Sequence, residues 1–171
     1  MHPIIHCGIL AGAIGRIAEL HATYYSALVG FGVFFEAKVA RELADFCERY
    51  DEARDGLWLA LLDDRIEGSI AIDGSQAESD GAHLRWFITS EQIRGAGIGS
   101  RLLASAIAFS QARGYPRIYL WTFEGLDAAR HLYEKAGFRL IHQQPGAQWG
   151  ITVNEQCFEL RTCSAAGSHN L

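Results

Sequence analysis

Alternating apolar and polar residues predict short strands along much of this chain. The segments LWLALL and IEGSIAI, separated by Asp63, Asp64 and Arg65, predict a hairpin of two strands. Further strands are predicted over residues 3–9 and over AHLRWFIT, RIYLWTF, FRLIHQQ and QCFELR, with a looser segment around Pro145.

Four segments instead repeat apolar residues every three or four positions, and this spacing predicts helices that each bury one face. The four apolar stripes are Ile17, Leu20, Tyr24 and Leu28; Phe35, Val39, Leu43 and Phe46; Ile98, Leu102, Leu103, Ala106 and Ile107; and Ala129, Leu132, Tyr133 and Ala136. We expect the Asp127 side chain to cap the last helix, and Gly137 to end it because glycine tolerates a left-handed backbone.

The order of these elements is strand, two helices, three strands, helix, strand, helix and two strands. This order predicts an α+β fold, in which helices on both faces cover a mixed, mostly antiparallel central sheet. No internal repeat or low-complexity linker interrupts the series. We therefore expect one domain over residues 1–162, followed by a flexible tail over residues 163–171.

The composition narrows the classes of function. A hydrophobic content of 49% and a charged content of 20% are typical of a soluble globular domain. The net charge is -5, and no cluster of Lys and Arg offers a surface for nucleic acid. No apolar run reaches the roughly 18 residues of a membrane span, and no secretion signal is evident. We expect a cytoplasmic protein without nucleic-acid or membrane partners.

The cysteines and histidines do not form a metal-binding pattern. No CxxC pair occurs among the four cysteines, which we interpret as buried or free thiols. They are Cys7, Cys47, Cys157 and Cys163. His2 and His6 share one face of a predicted strand but lack a third ligand. No metal site is expected.

The stretch QIRGAGIGSRLL, residues 92–103, places three glycines at alternate positions immediately before a predicted helix. The first backbone N–H groups of a helix have no partner within the helix, and the helix dipole adds partial positive charge there. Phosphate oxygens can bind such an N-terminus directly. We expect Gly95, Gly97 and Gly99 to remove side chains that would block this approach, and Arg94 to add a cation. The stretch therefore predicts a pyrophosphate-binding loop.

Other glycine-rich loops fit this stretch less well. A P-loop would need Lys-Ser or Lys-Thr after the last glycine, and neither pair is present there. The dinucleotide-binding GxGxxG pattern is matched only in part, because Ser100 takes the place of its third glycine. A glycine-rich turn without a ligand stays an open alternative.

Two segments resemble the GCN5-related N-acetyltransferase (GNAT) family. LRWFITSEQIRGAGIGSRLL contains the family's Q/R-x-x-G-x-G/A acyl-coenzyme A signature, through Gln92, Gly95 and Gly97, and AARHLYEKAGFRL matches its A-x-x-L-Y-E-K-x-G-F segment. The element order resembles the family over most of the chain, and the match is specific over residues 84–139. GAIGRIAELHATYY and LWTFEGLDAARHLYEKAGF are most similar to the acetyltransferase domains that are fused to winged-helix (MarR-type) regulators.

The resemblance implies the GNAT fold (acyl-CoA N-acyltransferase fold) and acetyl-coenzyme A (acetyl-CoA) as cosubstrate. Its pyrophosphate would lie on the loop backbone, and its pantetheine arm would follow the preceding strand where two strands splay apart. The residues implied to bind it are Phe87, Ile88, Thr89, Gln92, Arg94, Gly95, Ala96, Gly97, Ile98, Gly99 and Ser100. Tyr133 matches the family tyrosine that protonates the departing coenzyme A thiolate.

The implied reaction is direct transfer of the acetyl group to a primary amine of a small molecule or peptide in a ternary complex. A base must take a proton from the amine, and we assign Glu36, with His83, Glu124 and Asp127 as alternatives. The residues expected to line the acceptor pocket are His21, Tyr24, Tyr25 and Glu124. The acidic net charge favours a cationic acceptor. Many relatives pair as dimers, so a homodimer stays open.

Two other functions remain compatible with the sequence. A non-catalytic acyl-CoA-binding regulatory module would keep the loop without turnover. Leu126 favours it slightly, because the family often has a coenzyme-orienting asparagine at this position. A protein-interaction domain would bind no coenzyme A at all.

Overall fold

A computed structural model describes residues 2–162 of the chain. Its elements in chain order are β1 (Ile4–Cys7), α1 (Ala13–Val29), α2 (Val33–Glu48), β2 (Gly56–Leu62), β3 (Arg65–Asp73), β4 (Ala82–Thr89), α3 (Ile98–Ala112), β5 (Arg117–Phe123), α4 (Asp127–Lys135), β6 (Arg139–Gly146) and β7 (Val153–Arg161). The predicted tail over residues 163–171 lies outside the described residues.

All of these strands belong to one seven-stranded sheet, in the order β1-β2-β3-β4-β5-β7-β6. Every neighbouring pair is antiparallel except β4 and β5, which run parallel. Parallel neighbours need a crossover connection, and α3 provides it between β4 and β5. The predicted α+β class, with a mixed and mostly antiparallel sheet, is confirmed.

Helices cover both faces of the sheet, and each face has its own buried cluster. Helices α1 and α2 cover one face, and α3 and α4 cover the other. The predicted stripe of α2 is buried throughout. The stripe of α1 was predicted to include Leu28, but this side chain is 48% exposed because it borders an open groove.

The hairpin between β2 and β3 turns through Asp63 and Asp64, whose φ angles are 51° and 62°. A two-residue turn with two positive φ angles matches the twist of the flanking strands, and aspartate tolerates this conformation. Arg65, which the sequence placed in the turn, is the first residue of β3. The hairpin is confirmed with a turn one residue shorter than predicted.

Two further local predictions were wrong. The segment around Pro145 is not a loose connection but the end of β6, where Pro145 pairs with Asn154. Proline is tolerated there because β6 is an edge strand whose outer side needs no N–H donor. Asp127 does not cap α4, since Leu126 is the N-cap residue and no side chain caps this helix. Asp127 lies in the first turn, where its negative charge favours the helix dipole.

Strand β4 contains a bulge at Trp86. The β3–β4 ladder shifts register between Ser69 and Ala71, where Trp86 and Phe87 together lie opposite a single residue of β3. Trp86 has a φ of 49°, a left-handed conformation that is strained for a bulky residue. The hydroxyl of Ser69 donates a hydrogen bond of 2.6 Å to the carbonyl oxygen of Trp86. This buried bond holds the bulge in place.

The bulge changes which face of the sheet each side chain meets. Arg85 and Trp86 both face α2, where Arg85 pairs with Glu42. Phe87 then faces α4 and contacts Tyr133, with 5.9 Å between the ring centroids. Consecutive residues of one strand thus project into both halves of the molecule.

Strands β4 and β5 are paired only at their beginnings. The ladder joins Ala82 to Ile118 and His83 to Tyr119 and then ends. A bulge bends its strand and increases the local twist, so the bulge moves the rest of β4 away from β5. A gap therefore opens between the two central strands.

We predict that Ser69→Ala lowers the free energy of unfolding by about 1–3 kcal/mol, because the buried Trp86 carbonyl loses its partner. Ser110→Ala is the matched control: Ser110 is equally buried, but its hydroxyl only adds a second bond to a carbonyl within α3. Denaturant unfolding of both variants measures the difference. Equal losses in the two variants would contradict the assigned role of Ser69.

Candidate functional site

A cavity of about 590 Å³ occupies the gap between β4 and β5. Residues 84–87 of β4 and residues 120–123 of β5 form its sides, and it extends to α1 and α2 on one face and to α4 on the other. Because the cavity crosses the sheet, two molecules that enter from opposite faces can meet inside it.

The three glycines at the start of α3 have two different roles. Gly95 and Gly97 have φ angles of 82° and 73°, in the left-handed region that favours glycine. A Cβ on either residue would meet no described atom within 4 Å, so this side is open to a ligand. A Cβ on Gly99 would instead lie 3.2 Å from Cδ1 of Leu132. Gly99 therefore allows α3 to pack against α4, and its expected role in clearing a path for phosphate is not supported.

The backbone N–H groups at the start of α3 have no side-chain partner. The helix begins at Ile98 with Gly97 as N-cap, and no side chain caps it. The Ile98 side chain is buried, so a ligand outside the loop could meet this residue only through its backbone. The exposed side chains around these N–H groups are Gln92, Arg94, Ala96 and Ser100. The loop thus combines free donors, a helix dipole and one cation, which suits a phosphate group.

A residue of helix α1, Tyr24, contacts the side chain of Arg94 in this loop. The guanidinium lies over the ring of Tyr24, with 5.4 Å between its carbon and the ring centroid, and Nη2 donates a bond of 3.4 Å to the Thr89 carbonyl. Arg94 and Tyr24 line a separate groove of about 470 Å³. Tyr24 does not line the cavity between the strands, so its predicted place in the acceptor pocket is not supported.

Residues 87–89 form the edge of the gap on the β4 side. They lie beyond the last pair of the β4–β5 ladder, so their backbone groups on that edge have no strand partner within residues 2–162. An extended chain of amides can add to such an edge. Phe87 also lines the cavity, whereas Ile88 and Thr89 border the neighbouring groove. The splay that the resemblance implied is present in the fold.

Tyr133 extends from α4 into the cavity. Its ring is buried and lies 5.9 Å from Phe138 and 6.0 Å from Phe158, measured between ring centroids. Burial raises the pKa of the Tyr133 phenol well above its ordinary value, and Tyr25 raises it further. The phenol therefore keeps its proton at neutral pH and can act as a donor.

His21 lines the same cavity from α1. Its Nδ1 lies 2.8 Å from the carbonyl oxygen of Ile17, and this acceptor requires the proton to be on Nδ1. Burial lowers the pKa of His21 to about 4, with the bond to Ile17 acting in the opposite direction. The imidazole is therefore neutral at pH 7, and its Nε2 carries a lone pair that can accept a proton.

The structure brings only some of the other candidates to the cavity. Tyr25 and His83 line it. Burial lowers the pKa of His83 to about 3, with a further lowering by Arg85, so this imidazole is also neutral at pH 7. Glu36, Glu124 and Asp127 are exposed and do not line the cavity. Glu36, which the sequence analysis assigned as the base, is therefore not among the residues that line the cavity.

Sequence reasoning missed the charged residues of the cavity, which are Lys38, Glu42 and Arg85. The Glu42 carboxylate pairs with both cations, so these three side chains together carry one net positive charge. The net charge of the whole chain favours a cationic acceptor, but it does not describe the local charge of the side chains that line the cavity. Arg85 could have been found as the one cation inside the apolar strand segment LRWFIT.

Within residues 2–162, no three His, Cys, Asp or Glu side chains lie close enough together to hold a metal ion. No helix in this part of the chain has the length and apolar character needed to cross a bilayer.

Comparison with known proteins identifies relatives of this chain. The model of the acetyltransferase (GNAT) family matches residues 16–138. The protein named "Probable N-acetyltransferase camello" of Xenopus tropicalis is 25% identical over 137 residues, which cover 74% of this chain and 63% of that protein. Its namesake from Xenopus laevis is 29% identical over 82 residues, which cover 48% of this chain and 37% of that protein. The chain thus spans less than two thirds of either relative.

Solved structures share the fold. A GNAT acetyltransferase from Streptococcus pneumoniae superposes with a TM-score of 0.70 at 23% identity, covering 94% of this chain and 100% of that one. The protein yncA from Salmonella typhimurium, solved with its cofactor acetyl-CoA, superposes with a TM-score of 0.74 at 16% identity, covering 99% and 100% of the two chains.

We predict that the protein loses stability as the pH falls from about 6.5 to about 4. In this window the unfolded chain protonates His21 at its ordinary pKa, whereas the folded protein keeps it neutral, so the unfolded state binds more protons. The His21→Asn variant can keep a donor near the Ile17 carbonyl. Across this pH window its free energy of unfolding should fall by up to about 3 kcal/mol less than that of the unchanged protein. Denaturant unfolding at pH 7 and pH 4.5 measures this, and the same pH dependence in both proteins would refute it.

Proposed function

This chain belongs to the acetyltransferase (GNAT) family, and we propose that it transfers the acetyl group of acetyl-CoA to a primary amine of a small molecule or peptide, by direct attack in a ternary complex. The observation that carries this proposal is the cavity that crosses the sheet next to an uncapped, glycine-rich helix N-terminus. The helix N-terminus suits a phosphate, and the lining of the cavity includes a proton donor, Tyr133, and a proton acceptor, His21.

Acetyl-CoA supplies the acetyl group as a thioester, which is activated for attack by an amine. The N–H groups at the start of α3 would bind its pyrophosphate, and Arg94 would add a charge-assisted contact. The free edge of residues 87–89 would bind the amides of its pantetheine arm. The acetyl-CoA bound to the structurally similar yncA supports this choice of cosubstrate.

We assign His21 as the group that accepts the proton of the attacking amine. His21 lines the cavity while its Nδ1 is held by the Ile17 carbonyl, so the ring is oriented and its Nε2 is the nitrogen left to accept a proton. Nitrogen becomes strongly acidic once it has bonded to the acetyl carbon, so even a base with a lowered pKa can take its proton. His21 therefore replaces Glu36 in our account.

We assign Tyr133 as the group that protonates the departing sulfur. The carbon–sulfur bond breaks as the carbon–nitrogen bond forms, and the electron pair leaves with the sulfur. The Tyr133 pKa is raised by burial, but the same burial disfavours a thiolate in that place. The proton can thus pass from phenol to sulfur inside the cavity.

The main alternative is a regulatory module that binds acyl-CoA without turnover. Leu126 gives it some support, since it lines the cavity and provides no polar atom at the uncapped start of α4. The further resemblance to domains fused to winged-helix regulators stays a prediction of the sequence. The name of the camello relatives instead favours an N-acetyltransferase.

We predict that Tyr133→Phe and His21→Asn each lower kcat by about 10²–10⁴-fold, the usual contribution of a general acid or base. The dissociation constant of acetyl-CoA should change little, because neither side chain forms the phosphate loop. Tyr119→Phe is the control, since Tyr119 stacks on His83 outside the cavity wall. Assays would follow coenzyme A release with a broad panel of amines.

Two results would contradict this proposal in different ways. Tight binding of acetyl-CoA without acetylation of any amine would reject the enzyme and favour the regulatory module. Absence of acetyl-CoA binding in calorimetry or thermal shift would reject both.

A further inference from the structure

The α2 side of the cavity contains a cluster of three charged side chains, Lys38, Glu42 and Arg85. Their exposed fractions are 25%, 31% and 20%, so all three are largely withdrawn from water. One carboxylate oxygen of Glu42 pairs with Lys38 and the other with Arg85. The three side chains together carry one net positive charge, which is unfavourable in a partly buried place. The buried Glu155 carboxylate also lies beside the cavity, but it accepts hydrogen bonds from Gln148 and forms no ion pair with this cluster. An anion in the cavity would complete the cluster.

Arg85 has donors left for such an anion. A guanidinium carries five N–H donors, and Glu42 is the one hydrogen-bond acceptor that it contacts within residues 2–162. Its carbon lies 4.2 Å from the centroid of the Trp86 ring, so the indole supports the guanidinium plane. A supported guanidinium fits a carboxylate through two parallel hydrogen bonds.

This cluster is separate from the phosphate loop. Arg85 and Thr89 are four residues apart along β4, which corresponds to roughly 12 Å, and the loop begins only after Thr89. Arg85 also faces α2, whereas the loop leads into α3 on the other face. An anion bound by this cluster would therefore not be the pyrophosphate. It would belong to a molecule that enters the cavity from the α2 side.

Aromatic rings form the neighbouring part of this side of the cavity. Phe31 is 4.9 Å from Phe35 and 5.5 Å from Phe123, and Trp149 is 5.6 Å from Phe123, measured between centroids. Tyr25 packs among them at 5.3 Å from Phe35. Such a wall favours an apolar group, because the group and the rings are both removed from water.

We propose that the acceptor is an amino acid or a molecule built like one. Its carboxylate would bind Arg85 and Lys38, its apolar side chain would contact the aromatic wall, and its amine would be acetylated. This inference rests on the proposed function and names the acceptor class for the same site. The net charge of -5 favours a cationic acceptor, but salt screens distant surface charges far more than charges inside a cavity.

Matched acceptors test the proposal. The probes are L-phenylalanine, L-tryptophan, L-leucine and L-methionine, each compared with its amide and with its decarboxylated amine. Each set keeps the side chain and the amine and changes the carboxylate. The amide has the less basic amine, so without carboxylate recognition it should react faster than the acid. We expect kcat/KM to be at least about tenfold higher for the acid than for either analogue in at least one set.

Two variants identify the groups responsible. Arg85→Gln should raise KM for the acid and so bring the ratio of kcat/KM for the acid to kcat/KM for the amide below about threefold. Lys38→Gln should also reduce this ratio. KM for acetyl-CoA should stay unchanged in both variants. Arg139→Gln is the control, since Arg139 is an exposed arginine on the edge strand β6. Thermal unfolding of each variant checks that it is folded, and two independent variants keep the test valid if one is not.

Different failures have different meanings. Equal or faster acetylation of the amides or amines would overturn the acceptor class, as would acetylation of none of the acids by a protein that acetylates other amines. If Arg85→Gln and Lys38→Gln both keep the preference for the acid over its amide, the proposed acceptor class would also be overturned. Acetyl-CoA binding without any acetylation would overturn the proposed function instead, and this inference with it.

Discussion

One buried hydrogen bond, from the Ser69 hydroxyl to the Trp86 carbonyl, holds the strand conformation on which the site depends. A tryptophan with a positive φ costs on the order of 1–3 kcal/mol, and this strain persists only where the surroundings compensate for it. The compensation here is the Ser69 bond together with packing of Trp86 on Phe46, at 5.3 Å between centroids. The result is a bent β4, a gap beside β5 and a cavity through the sheet.

Strand β4 also arranges the polar groups of the site in order along one direction. At its end the backbone leads into a loop whose free N–H groups suit a phosphate. At its middle the gap contains the phenol of Tyr133 and the imidazole of His21. Before the bulge, Arg85 faces the opposite side and pairs with Glu42. Ligand binding and proton transfer thus depend on the same strand, and a change in its bend would disturb both.

Sequence predicts the parts of this arrangement that depend on neighbouring residues. Alternation and helical spacing identify the strands and helices, and the glycines at positions 95 and 97 identify the loop before α3. The bulge has no such signal, because its bond joins residues 17 positions apart and its positive φ falls on a tryptophan. The sequence also did not reveal that Glu42 lines the cavity and Glu36 does not: spacing defines a helix face, but only packing decides which polar residues border a cavity. Gly99 was found by its pattern, but its contact with α4 has no local signal, since its neighbour Leu132 comes from another helix.

The central claim is that the loop before α3 and the free edge of β4 bind one extended ligand, and nuclear magnetic resonance tests it most directly. A titration of ¹⁵N-labelled protein with coenzyme A would follow each backbone amide separately. We expect saturable shifts that are largest at residues 94–100, in the loop and the start of α3, and at residues 87–89, at the end of β4. Absence of shifts at millimolar coenzyme A, or shifts confined to residues outside these two segments, would contradict it.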